Sequence, residues 1–231
     1  MRLSLTEIAN KRWSESIGPI DKGTEAGPRH GYTHFYDQLF TPIRDKELLI
    51  LEIGVSGGGS LNLWYNYFPN ATIIGLDIND ESYLNNDRCK VYQLDQSDDN
   101  QLENFVQQCI YSGYEFDIII DDGSHHMRDQ QKTLAYLFPL LKSKGIYIIE
   151  DLHTSLADEG YILYGKSLQT TSNNSTLRWL QSCFDYSSFM TAKENFDLGN
   201  NIETITIHNR INPFQEPQFK GRSITSAIIK K

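Results

Sequence analysis

Strand-length apolar runs that each end in glycine or acid constrain the fold of this chain more than any other feature. They lie at 48–54, 71–77, 90–95, 116–123 and 146–151. Amphipathic stretches separate them. One covers 60–68 and another, capped by Asp98 or Asp99, reaches about Tyr111. A third spans 128–141, with Leu134, Leu137, Phe138 and Leu141 on one face and Lys144-Gly145 as its stop. Runs apolar throughout imply strands buried on both faces, in a parallel sheet covered by helices on each side. Two alternating runs, 202–208 and 223–229, read as an antiparallel hairpin closing the chain. The expected fold is α/β, a seven-stranded and mostly parallel sheet with a C-terminal antiparallel hairpin.

Length and charge set the outer bounds. The 231 residues suffice for one sizeable core. Residues 1–47 form a helical and loop preamble, expected to pack over the ligand site. Residues 48–231 form the main domain. Residues 153–175, rich in Gly, Ser, Thr and Asn, interrupt it as an expected lid. A net charge of -9 without a basic stripe argues against nucleic acid. Cys89, Cys109 and Cys183 have no zinc-ligand spacing and read as reduced thiols. The N-terminus lacks the apolar core of a signal peptide, and no apolar run approaches the ~20 residues of a membrane span. The expectation is a soluble, cytoplasmic protein.

The chemistry sits at the strand ends. Glu52-Ile53-Gly54-Val55-Ser56-Gly57-Gly58-Gly59-Ser60 joins a strand to a helix, where open α/β sheets bind ligands. Glycines such as Gly54 and Gly58 let the backbone approach a ligand. The helix start can hold an anion such as a methionine carboxylate. Asp77, with Ile78 beside it, ends the second strand and suits two ribose hydroxyls. Asp95-Gln96 ends the third, where an acid and an amide can read an adenine edge. A lone strand-end Asp is as often a helix cap, but the glycine loop, Asp77 and Asp95 in register at one sheet edge are harder to dismiss. No Arg follows Asp77 closely, which leaves NADP without a 2′-phosphate partner.

Two further clusters follow the fourth and fifth strands: Asp121-Asp122-Gly123-Ser124-His125-His126 and Glu150-Asp151-Leu152-His153. Carboxylates packed together repel unless a cation or protons relieve them. Hard divalent ions favour such oxygens. Mg²⁺, or Mn²⁺ in its place, on Asp122, Glu150 and Asp151 could lower the pKa of a substrate hydroxyl. His125 could then take the proton, with His126 as its competitor. His126 and His153 are candidate substrate contacts. The plainer reading is helix capping by Asp122 and Ser124 with solvated acids elsewhere. His30, His34 and His208 read as surface or packing residues, and the aromatics of 161–164 and 184–189 as core or lid packing.

These motifs, with Asp21-Lys22-Gly23-Thr24, resemble the metal-dependent sugar O-methyltransferases of antibiotic biosynthesis. The likeness spans about 130 residues. It implies a Rossmann-like class I methyltransferase fold and S-adenosylmethionine as donor. It also implies Mg²⁺ on Asp122, Glu150 and Asp151, with His125 as base. Residues 21–32 would close over the cofactor, adding Lys22, Thr24 and Tyr32 to the cofactor set of Glu52, Gly54, Ser56, Gly58, Asp77, Ile78, Asp95, Gln96 and Asp121. The acceptor would be a small molecule, a sugar or polyketide-type metabolite. Relatives that assemble through an extra N-terminal domain make a homo-oligomer an open expectation. Competing readings are a non-heme iron oxygenase of the cephalosporin-hydroxylase type using His125, His126 and His153, a non-catalytic cofactor-binding module, and an NAD-linked oxidoreductase.

Overall fold

The computed structural model describes residues 2–12, 18–157, 161–168, 175–182 and 198–231. Ser4 starts α1 (Leu5–Asn10) with a capping box, its hydroxyl accepting the Glu7 N–H while Glu7 reaches back to the Ser4 N–H. After the 18–32 loop comes α2 (Thr33–Phe40). Strands and helices then alternate: β1 (Leu49–Ile53), α3 (Gly59–Tyr67), β2 (Thr72–Asp77), β3 (Cys89–Gln93), α4 (Asp99–Ser112) and β4 (Phe116–Asp121). Asp98 caps α4, accepting from the Asn100 and Gln101 N–H groups, and Gly113 ends it in the left-handed region.

The boundary after α5 (Met127–Leu137) departs from the sequence reading. The helix stops four residues early because Pro139 lacks an N–H, and a 3₁₀ turn covers Phe138–Leu140. Strand β5 (Leu141–Ile149) therefore starts before the expected 146, bulging between its Leu141 and Ile146 pairings. Beyond it lie β6 (Ile162–Leu163), β7 (Lys166–Ser167), α6 (Thr176–Ser182), α7 (Leu198–Asn201), β8 (Ile202–Ile211) and β9 (Arg222–Lys230).

The sheet order is β3-β2-β1-β4-β5-β9-β8, parallel except where β9 pairs with β5 and β8. The expected seven strands and C-terminal antiparallel pair are present. The strand order reverses between β1 and β4, so the crevice for a ligand opens at the C-terminal ends of those strands. One core layer packs α4 and α5 side chains such as Leu102, Phe105, Leu134 and Leu137 on the sheet. The other packs α3 together with the preamble: Leu5, Ile8, Tyr36, Phe40 and Trp64 share one buried cluster. The preamble is thus part of the main core rather than an appendage to it.

The described parts of 153–175 are unevenly packed, with Ile162 and Tyr164 exposed. His153, Thr154, Ala157 and Leu168 are buried. Ala157 and Leu168 join Met127 and Phe219 in a small apolar cluster. The aromatics of 184–189 lie outside the described residues. No helix among the described residues is long and apolar enough to cross a membrane.

Candidate active site

The glycine loop and the β4 terminus touch at Gly54. Its φ of +84° is left-handed, and a Cβ there would overlap the Asp122 carbonyl. Only glycine lets β1 and β4 end this close together. Ser56, with φ +47°, and Gly58, with φ +81°, complete the turn into α3. Ser56 and Gly57 are exposed, which leaves the loop open to a ligand. Left-handed backbone at a non-glycine costs roughly 1–3 kcal/mol. Ser56, His125 and Asp151 all adopt it, after β1, β4 and β5 in turn.

Several expected cofactor residues serve first to build the loop. Asp77 Oδ2 accepts the Val55 and Ser56 N–H groups at 2.9 Å, and Oδ1 accepts Asn79 N–H at 2.9 Å. Most of its acceptor capacity thus clasps the loop. Gln96 turns inward as well. Its amide donates to Asp121 Oδ1 (3.3 Å) and Thr133 Oγ1 (3.0 Å), and its oxygen accepts Ser124 N–H. This buried amide props up the β4 turn. Asp95 lies two residues past the end of β3 and caps Ser97 N–H at 2.8 Å. Ile78 is 58% exposed, an apolar surface beside Asp77 suited to a base. Thr24 is tied to α1 through two hydrogen bonds with Asn10. Glu52 is buried under α3, where Ser60 Oγ donates to it at 2.9 Å, and burial raises its pKa to about 7. Burial also raises Asp121 to about 7.

Lys22 reaches from the 18–32 loop into the acid cluster. It is 2% exposed, and its ammonium contacts Asp122 Oδ2 and, at 2.9 Å, Glu150 Oε2. Burial opposes its charge, but Asp122 and Glu150 hold it protonated well above the usual lysine range. Burial and the neighbouring Asp122 push Glu150 upward. Asp151 behaves oppositely. Burial would raise it, yet His30, His125 and His153 around it hold it below the ordinary carboxylate range. Tyr32 OH donates to Asp151 Oδ1 at 2.8 Å.

Two of the three expected metal ligands, Asp122 and Glu150, meet on the Lys22 ammonium. Asp122 and Asp151 converge with His125, their ligand atoms within 4.8 Å of one another. Glu150, expected as the third ligand, is engaged by Lys22 at 2.9 Å. Lys22, expected at the cofactor, is the counter-ion of these acids. The donor set still suits a hard cation: Glu150 Oε1 and His125 Nδ1 are buried without hydrogen-bond partners.

Geometry separates the two adjacent histidines. His125 Nε2 stands 3.5 Å from Asp151 Oδ2. His126 is turned away, its Nε2 at 3.1 Å from the Leu163 carbonyl. Of the three histidines, His125 and His153 stand beside Asp151 and His126 does not. His153, expected near a lid, is 3% exposed and 3.8 Å from Asp151 Oδ1. His30, read from the sequence as a surface or packing residue, lies in the same cluster, stacked on Tyr32 with centroids 4.9 Å apart. Its position between Lys22 and Tyr32 in the sequence was the available signal. His34 is exposed and His208 stacks on Phe35, as expected.

A family model described as a methyltransferase domain matches residues 44–205. The chain belongs to this methyltransferase family. It is 39% identical over 158 residues to the mycinamicin VI 2''-O-methyltransferase of Micromonospora griseorubida, covering 65% of this chain and 36% of that protein. It is 38% identical over 136 residues to the demethylmacrocin O-methyltransferase of Streptomyces fradiae, covering 56% of this chain and 33% of that one. It thus spans about a third of the length of these relatives. Among solved structures, MycE from the mycinamycin pathway, in complex with Mg, SAH and mycinamycin VI, is similar with a TM-score of 0.71 and 27% identity. That match covers 99% of this chain and 55% of MycE. The class I methyltransferase fold expected from the strand pattern is the fold of this family.

Proposed function

We propose that the chain is an S-adenosylmethionine-dependent, Mg²⁺-assisted O-methyltransferase acting on a hydroxyl of a sugar or related small metabolite. The observation that carries this reading is the convergence of Asp122, His125 and Asp151 beside the Gly54–Gly58 loop. The identities to sugar O-methyltransferases support it.

The open glycine turn, the N-terminus of α3 and the exposed Ile78 fit the amino-acid and adenine ends of S-adenosylmethionine. A divalent ion would be held by Asp122 and Asp151, with Glu150 available once Lys22 withdraws. Mg²⁺ or Mn²⁺ would supply Lewis acidity, lowering the pKa of an acceptor hydroxyl. Asp151 is held by Tyr32 OH and orients His125 by charge. His125 Nε2 would receive the hydroxyl proton. Thr154 Oγ1 donates to the His125 carbonyl at 3.0 Å and steadies this left-handed residue.

Methyl transfer from labelled S-adenosylmethionine to a panel of deoxysugar glycosides, with and without Mg²⁺, tests the reading. Turnover should require the cation. His125→Ala should lower kcat by roughly 10²–10⁴-fold with SAH affinity nearly unchanged, and His126→Ala should not. NAD binding as tight as SAH binding, or full turnover after exhaustive chelation, would refute it.

A further inference from the structure

Building on the O-methyltransferase reading, we propose that Tyr164 is a specificity-determining residue of the acceptor site, its ring carried on the tip of the β6–β7 hairpin beside His125 to pack on the C–H face of the acceptor's sugar. Tyr164 and Gly165 are the two loop residues between Ile162–Leu163 and Lys166–Ser167. Their φ values of +49° and +78° are those of a tight hairpin turn with both residues left-handed. Such turns favour Asn or Asp before Gly, and a bulky aromatic in that position is an outlier. Backbone outliers persist where surrounding contacts hold them, and they cluster at ligand sites.

The hairpin is anchored on one side and open on the other. Tyr161 packs on Phe219 with centroids 5.6 Å apart, and the Leu168 N–H donates to the Tyr161 carbonyl at 2.9 Å. Leu163 packs against the small cluster that contains Met127 and Phe219. The Leu163 carbonyl accepts from His126 Nε2 at 3.1 Å, so the residue after His125 fixes the residue before the tip. Ile162 and Tyr164, at the alternate positions, are 57% and 72% exposed. Tyr161 thus takes the packing role expected of the 161–164 aromatics, and Tyr164 does not.

The exposed ring stands next to the chemistry. Its centroid lies 6.1 Å from that of His125, with the two planes tilted by 42°. An oxygen that gives its proton to His125 comes within about 3.2 Å of the imidazole, so the sugar ring bearing that oxygen falls within reach of Tyr164. Desolvation, followed by the charges of Asp151, Asp122 and Asp21, raises the Tyr164 pKa, and its hydroxyl remains a neutral donor near the acids. Small-molecule sites combine apolar walls with a few placed polar groups. Here His125 and the acids supply the polar groups, and the Tyr164 ring supplies a wall. An aromatic face suits the C–H side of a sugar ring, while the hydroxyls on its rim stay free for polar partners.

Methyl 6-deoxyhexopyranosides are the probes, bound to the full chain with Mg²⁺ and SAH and followed by saturation-transfer NMR. In the parent, irradiating the aromatic protons should reach the ring C–H protons of the sugar. Tyr164→Ala should weaken sugar binding by about 3–10-fold and remove most of that transfer, whereas Tyr164→Phe should keep binding within about twofold of the parent. In the labelled-donor assay Tyr164→Ala should raise the acceptor KM by the same factor, with kcat and SAH affinity nearly unchanged. No sugar binding by the parent, equal affinity in Tyr164→Ala, a Tyr164→Phe defect as large as that of Tyr164→Ala, or a loss confined to kcat would each overturn the proposal. Sugar held through Tyr164 without any methyl transfer would count against the methyltransferase reading and leave the role of the ring standing.

Discussion

Replacing Lys22 with Met removes the ammonium and keeps most of the stem. The lysine is 2% exposed and contacts two carboxylates, Asp122 and Glu150. Removing one partner from such a buried arrangement costs about 3–5 kcal/mol. In a domain of this size each kcal/mol moves Tm by roughly 2–4 °C, so Lys22→Met should melt about 6–20 °C lower. The deficit should depend on pH. Glu150 and Asp122 already have raised pKa values, mainly through burial, and Lys22 works against that rise. Without it, both acids are protonated more readily in the folded state. Raised carboxyl pKa values mean stability present at low pH and lost as pH rises. The gap to the unaltered protein should therefore shrink on acidification and widen on the alkaline side. Mg²⁺ should stabilise Lys22→Met more than the parent, because the freed carboxylates can both face the ion. Scanning calorimetry across pH, with and without Mg²⁺, reads all three effects. A deficit below about 3 °C that is indifferent to pH and Mg²⁺ would show that the ammonium does not neutralise these acids.

Glu52→Gln should stabilise the protein at alkaline pH: the raised pKa of about 7, against an ordinary 4.5, represents about 3 kcal/mol lost between those values as pH rises. Chemical denaturation should show no such gain below about pH 4.5, and a gain independent of pH would refute the assignment. Gly54→Ala should destabilise by at least about 1–2 kcal/mol from its left-handed backbone alone, with more from the overlap with the Asp122 carbonyl; an unchanged denaturation midpoint would contradict the close approach of β1 and β4. Asp77→Ala should lower Tm as well as SAH affinity, because loss of hydrogen bonds to a charged group costs roughly 1.5–3 kcal/mol each. Weaker SAH binding with no loss of Tm would mean that Asp77 contacts the ligand without clasping the loop.

Much of this architecture was legible in the sequence because it is written locally. Continuous apolar runs fix which segments are buried on both faces, and the Gly54–Gly58 turn and the strand-end acids follow them at once. That information sufficed for a parallel sheet with its chemistry at one edge, and for the family. Local signals failed where a later residue intervened, as where Pro139 cut α5 short and moved the start of β5 to Leu141. The site itself was settled at longer range. Lys22 meets partners 100 and 128 residues away, and His30 joins Asp151 across the molecule. Asp77 and Gln96 turned inward because backbone N–H groups of the loops needed acceptors. His125 rather than His126 faces Asp151 because a left-handed residue at 125 sends the two side chains apart. Strand patterning specifies which loops share an edge, but the direction of each side chain there depends on charges and hydrogen-bond donors that only the assembled chain brings within reach.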